Sequence, residues 1–165
     1  MKNIKVIQTI LFVIIMLPFN SCKVEAEKIV YGEDGCHFCS MTVVDKIHGA
    51  EMVTKKGKVF KFDAMECLIN FSKEVNPEDV ALYLTNHYND PEELIDATKA
   101  TFLISQDLPS PMGAFLTAFE DKKDADEVHK EKGGELYSWE ELLIKLKPEY
   151  NNVSDIGDYK RPKLH

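Results

Sequence analysis

The chain is 165 residues long, with 28 acidic side chains against 20 basic ones and a net charge of −8. That balance excludes nucleic acid as a partner, because phosphate is repelled, and it excludes adhesion to anionic lipid through a basic patch. The length suffices for one good core or two small ones.

Met1 to Lys5 is short and basic, and Val6 to Phe19 is nearly continuously apolar, interrupted by Gln8 and Thr9. A basic start followed by an apolar run too short to span a bilayer comfortably is the pattern of a secretory signal. Asn20-Ser21-Cys22 closes it with a small residue directly before a cysteine. The stretch resembles a bacterial lipoprotein signal, which predicts removal of residues 1–21 and lipidation of Cys22. Phe19 stands where leucine is usual; an ordinary secretory signal or an N-terminal anchor helix are the alternatives. Cleavage leaves 144 residues and, since Lys2 and Lys5 are the only charges removed, moves the net charge from −8 to −10. Membrane attachment then rests on the acyl chains, several of which anchor stably where one holds only marginally.

Residues 23–35 are polar, with Gly32 and Gly35, and read as a tether. Met41 to Asp45 is β-prone. Glu51 to Thr54 and Val59 to Phe62 are separated by Lys55-Lys56-Gly57-Lys58, a hairpin signal. Asp63 is placed to cap a helix, with Glu66 at the capping-box position, and Ala64, Cys67, Leu68, Phe71 and Val75 recur at helical spacing. Asn76-Pro77 stops that helix, and Val80 to Tyr88 alternates as a strand. Asp90-Pro91 opens a short helical turn through Ala97. Thr101 to Ser105 and Ala114 to Phe119 read as strands flanking a loop from Asp107 to Gly113. Lys122 to Lys132 reads as a charged helix ended by Gly133-Gly134, and Glu135 to Tyr137 as a short strand. Ser138 and Glu141 form a capping box for a last helix through Lys147. The fold class is α+β, with the order strand, strand, helix, strand appearing twice, plus a C-terminal helix and tail.

Chemistry concentrates in Cys36-His37-Phe38-Cys39-Ser40-Met41. Thiolate and thioether are soft ligands that suit Cu(I), whereas zinc normally takes four nitrogen or thiolate ligands. If the chain is extended from Cys39, that residue and Met41 point to one face. His37 could add an imidazole if the extension reaches back to it. A structural disulfide and a redox-active pair use the same Cys-x-x-Cys spacing, so copper, disulfide and thiol redox chemistry all remain open on spacing alone. A haem-attachment motif is excluded, since Ser40 stands where histidine is required. With Cys22 assigned to lipid, Cys36, Cys39 and Cys67 remain, an odd number that leaves at least one unpaired thiol unless pairing is intermolecular. Cys67 lies on the apolar face of its helix and reads as a buried, inert thiol. Met112, in Pro109-Ser110-Pro111-Met112-Gly113, sits in a stiff loop of the kind that holds a side chain toward a partner, although core packing explains it equally well. Met52 and Met65 read as core filler. No catalytic triad, carboxylate pair, phosphate loop or dinucleotide fingerprint proposes an enzyme.

With Cys36-x-x-Cys39-Ser40-Met41, Phe62-Asp63, Leu94 to Ala97, Pro111-Met112-Gly113 and Ala118-Phe119 in order, the chain resembles the NosL family over most of residues 30–147. These are lipoprotein copper chaperones that serve nitrous oxide reductase. The resemblance implies two small domains of strand-strand-helix-strand order with Cu(I) between them. It implies that Cys39 and Met41 hold the ion, with Met112 as a further ligand and Cys36 and His37 as auxiliary candidates. It implies as partner nitrous oxide reductase, or the membrane-bound copper-assembly complex that serves it. Ser40 replaces the glycine usual between that cysteine and methionine. The expected organisation is a signal peptide over 1–21, a tether over 22–35, an N-terminal ββαβ-like domain over 36–89, a C-terminal ββαβ-like domain over 90–147, and a mobile tail over 148–165. The alternatives are an extracytoplasmic thiol-disulfide protein using Cys36 and Cys39, and a non-catalytic binding module.

Overall fold

The computed structural model describes residues 23–146. The signal segment, Cys22, Lys147 and the tail expected over 148–165 lie outside the described residues. Among those described, no helix is long and apolar enough to cross a membrane.

Strands β1 (Ala50–Thr54) and β2 (Val59–Phe62) form the expected antiparallel hairpin, in register from Ala50↔Phe62 to Val53↔Val59. Its loop closes through Thr54 and Lys58, whose backbone groups bond at 2.9 Å, and Gly57 takes a φ of +79° that a side chain would resist. Helix α1 (Met65–Ser72) follows, and β3 (Val80–Thr85) returns along the far side of β1. A 3-10 turn over Pro77–Asp79, capped by the Asn76 side chain, makes the connection. Two-residue β4 (Ile95–Asp96) then pairs with β3, completing a sheet of order β2-β1-β3-β4.

The second half repeats the plan. Strands β5 (Thr101–Ile104) and β6 (Leu116–Phe119) pair antiparallel, helix α2 (Lys122–Lys132) crosses over, and β7 (Glu135–Tyr137) adds to the other edge of β5. The order β6-β5-β7 therefore matches β2-β1-β3. Gly134 is obligatory at the α2–β7 join: a Cβ there would lie 2.2 Å from the Ile104 carbonyl oxygen, and its φ is +101°. Helix α3 (Trp139–Lys145) begins with the expected capping box between Ser138 and Glu141.

Three local expectations fail. Asp63 does not cap α1; the N-cap is Ala64, with no side-chain bond, and Asp63 is buried instead. Residues 90–97 form no helical turn, because Ile95 and Asp96 gain a ladder partner in Thr85 and Leu84. The stretch expected over 41–45 is no strand either, only an isolated bridge from Thr42 to Gly35. It is tied to the preceding segment by Gly32 N–H to Val43 C=O and Val43 N–H to Asp34 C=O, each at 2.8 Å.

The two halves share one core. Met52, Phe62 and Leu68 belong to the same apolar cluster as Phe102, Leu116, Trp139 and Leu142. Trp139 bridges the sheets, with its ring 5.3 Å from Tyr83 on β3 and 6.2 Å from Phe102 on β5. On the opposite face of the second sheet, Leu103, Phe119 and Ala125 form a smaller cluster beneath α2. Phe71 of α1 packs on Phe60 and Phe62 at 4.9 and 5.3 Å, which holds the helix to the first sheet. Met52 and Met65 are buried core residues, as read.

The expected tether is docked from Glu27 onward. Glu27 N–H bonds the buried Glu51 carboxylate at 3.0 Å, Lys61 Nζ reaches Asp34 at 2.8 Å and the Lys28 carbonyl at 2.9 Å, and Ile29 is buried. Burial without a full set of partners pushes the Glu51 carboxyl up to about 7, since one of its oxygens has no hydrogen bond. In the native state Glu51 therefore keeps its proton across a window in which the unfolded chain has lost it. Its contribution is complete below pH about 4.5 and is lost as pH rises through about 7. Replacing it as Glu51→Gln should remove that loss, leaving the variant more stable relative to wild type at pH 8 than at pH 4.5 by about 1–3 kcal/mol. Urea denaturation at both pH values checks this.

Candidate metal centre

The chain from Cys36 to Met41 is a closed turn rather than the extended run that would aim Cys39 and Met41 to one face. Ser40 N–H donates to the Cys36 carbonyl at 3.0 Å, and Cys36 N–H donates to the Met41 carbonyl at 2.8 Å. Ser40 closes it with a φ of +64°, in the left-handed region. The turn sits on α1, and the consequence is a sulfur cluster that spacing did not reveal. The Sγ atoms of Cys36, Cys39 and Cys67 all lie within 4.8 Å of one another, and all three thiols are free. Cys36 and Cys67 are buried and Cys39 is half-buried.

Hydrogen bonds polarise the cluster. The Cys67 thiol donates to Cys36, and backbone N–H groups of Cys39, Asp63 and Phe38 converge on the same sulfur, pulling the Cys36 thiol down to about 4 against the cost of its burial. Cys67 is pushed far up by donating its proton to Cys36 and by burial. Burial raises Cys39 as well, with the Cys36 thiolate adding to it. The Asp63 carboxyl is held up by burial and by the same thiolate. The three thiols thus differ in acidity, with Cys36 made the most acidic and Cys67 the least.

Beside the cluster lies a cleft of about 280 Å³ whose lining includes Phe38 from the turn, Cys67 and Asn70 from α1, and Met112 from the loop between β5 and β6. Met112 is thereby brought from the second half of the chain to a cleft it shares with a cluster thiol, and it is 38% exposed. Met41 is more open, at 53% exposed. His37 is turned to other work. Its Nδ1 accepts from the Lys61 N–H at 3.1 Å and its ring lies edge-on to Phe60, so it takes no part in the sulfur cluster.

The sequence model of the NosL family matches residues 28–146. The chain belongs to the NosL family. The copper-binding lipoprotein NosL of Stutzerimonas stutzeri is 28% identical over 122 residues, which are 68% of this chain. The chain spans about 63% of that relative's length. The solved structure of the copper chaperone NosL from Shewanella denitrificans superposes with a TM-score of 0.62 at 24% identity, covering 72% of this chain and 96% of that one. The fold is therefore the NosL fold. Ser40 holds a left-handed φ that glycine takes without strain and that a side chain resists.

The apolar face of α1 marks Cys67 as a buried thiol, and it is buried, but against two other thiols. The odd thiol count was the signal in the sequence: with Cys36 and Cys39 beside it, a third cysteine has no disulfide partner within the chain. The thiolate at Cys36 is open to direct measurement. The ultraviolet absorbance of one thiolate should persist in the reduced protein down to pH about 5, and Cys67→Ala should move its loss to higher pH. A first ionisation near the ordinary thiol value of about 8.5 would contradict the assignment.

Proposed function

We propose that the protein is a membrane-anchored extracytoplasmic chaperone for Cu(I) that delivers copper for the maturation of nitrous oxide reductase. The observation that carries the reading is the gathering of three thiols beside the Met112 cleft. Thiolate–metal bonds of about 2.3 Å put two sulfurs on one ion at most about 4.6 Å apart. Sulfurs already within 4.8 Å of one another need little movement to share it. An all-sulfur set favours a soft monovalent cation over calcium, magnesium or manganese, which prefer oxygen.

The ligand roles follow from burial. Cys36 is the most acidic of the three thiols and Cys39 the most accessible, giving up its proton as it takes the ion, with Cys67 beneath them. Met112 across the cleft and Met41 at the exposed edge add thioethers, which carry no proton and stay available at any pH. Cu(I) is content with two or three such donors, so this set exceeds its needs. The surplus lets an acceptor's ligand enter before one of the protein's own departs, which is what a carrier requires. Lipidation at Cys22 would hold the site at the membrane face, close to the assembly complex that is the proposed recipient. The name of the Stutzerimonas relative, a copper-binding lipoprotein, and that of the Shewanella chaperone support the cargo and the anchoring.

Reduced protein titrated with Cu(I) against a chromophoric chelator should take up one tightly held ion per chain. Cys39→Ala should weaken binding by about a hundredfold or more and Met112→Ala by about tenfold, the spread expected between losing a charged and a neutral donor. Unchanged affinity in Cys39→Ala and Cys67→Ala would refute the site. Apo nitrous oxide reductase that gains no copper from the loaded protein, with or without its assembly complex, would refute the client.

A further inference from the structure

Glu66 is a carboxylate in the middle of an apolar surface. It is 7% exposed, sits between Met65 and Cys67 on α1, and makes no salt bridge among the described residues. Its expected work as the capping-box residue of α1 is not what it does. Its Oε1 instead reaches out of the first half of the molecule and accepts the Ser110 hydroxyl at 2.6 Å and the Ala114 N–H at 3.4 Å. Those two donors bracket a tight turn, closed by Gly113 N–H to the Ser110 carbonyl at 3.0 Å. Pro111 stiffens the turn, Gly113 takes a φ of +77°, and Met112 is its apex. A single oxygen thus pins both ends of the turn that presents Met112 to the cleft, and the residue after Glu66 in the chain is the thiol Cys67 in the same cleft.

Stability alone is a poor explanation for a carboxylate at this place. A buried anion is costly unless fully bonded, and the second oxygen of Glu66 has no partner. An apolar contact would hold the loop at less cost. What a charged acceptor provides is a short, directional tether of fixed length between α1 and the loop.

We propose that Glu66 is a positioning residue that latches the Met112 turn over the thiol cluster, setting the thioether against the cysteines and limiting access to Cys67. The proposal rests on the reading of the cluster as a copper site only for its second consequence, the placement of a ligand. Its first, the covering of Cys67, holds with or without metal.

Two measurements on the reduced protein test it. In the metal-free protein, Glu66→Ala should accelerate iodoacetamide alkylation of Cys67, followed by peptide mass spectrometry, by about tenfold to a hundredfold, as loss of a charge-assisted hydrogen bond would allow. Glu66→Gln keeps an acceptor oxygen for Ser110 and should stay near the wild-type rate. Ser110→Ala leaves α1 intact and should shift in the direction of Glu66→Ala, which serves should that variant fold poorly. With Cu(I) bound, Glu66→Ala should lose the same sulfur contribution from the X-ray absorption spectrum as Met112→Ala, and the double variant should bind no more weakly than Met112→Ala alone. Alkylation of Cys67 unchanged in both Glu66→Ala and Ser110→Ala overturns the latch, as do affinity losses that add fully in the double variant. Accelerated alkylation in protein that binds no Cu(I) supports the latch and overturns the copper reading instead.

Discussion

The packing of α1 against the first sheet is the contact on which everything else in this molecule depends. Phe71 locks the helix to Phe60 and Phe62 of the hairpin, and that fixes the rotation of the turn before it. One residue on the helix, Cys67, then meets the thiols of the Cys36–Met41 turn, and its neighbour Glu66 meets the loop that carries Met112. Rotating α1 by a single position would break both meetings together. The eight-residue helix is thus part of the core and the frame of the sulfur site at once.

The duplicated strand-strand-helix-strand plan explains where the site lies. Each half builds an antiparallel sheet with its first strand inside it, and the two halves share one apolar cluster. Trp139 joins the two sheets in a single cluster, and the loops leaving them meet at its edge. The cleft between such loops is lined from both halves, by Phe38 and Cys67 on one side and Met112 on the other. Cys36 and Met112, seventy-six positions apart, owe their common neighbourhood to this shared core.

Electrostatics at the site follow from burial rather than from net charge. The surface is acidic, yet the decisive groups are a thiolate stabilised by converging N–H and S–H donors and a carboxylate stabilised by Ser110 and Ala114. Both groups are buried and held by hydrogen bonds beside the cleft. For a proposed monovalent cation cargo the sulfur donors are a favourable environment, and the one ammonium found bonded to the cleft's lining among the described residues, Lys73, is itself engaged by Asn70 Oδ1 at 2.7 Å and the Leu146 carbonyl at 3.1 Å.

Much of the fold was legible in the residues. The Lys55–Lys58 hairpin, the charged helix stopped at Gly133-Gly134 and the Ser138–Glu141 capping box each carry a local physical cause that acts within a few residues, and each stands where it was read. The sequence also picked out Cys39, Met41 and Met112 as the residues worth attention, since soft sulfur chemistry is written in residue type. Tertiary structure decided what depends on distance. Ile95 and Asp96 are a strand only because Leu84 and Thr85 lie beside them, Glu66 bonds a loop rather than its own helix terminus, and Ser40 turns the chain instead of extending it. The same holds for Cys67: an apolar helix face says that a thiol is buried, but only the packing of that face against a particular turn says that it is buried against two other thiols.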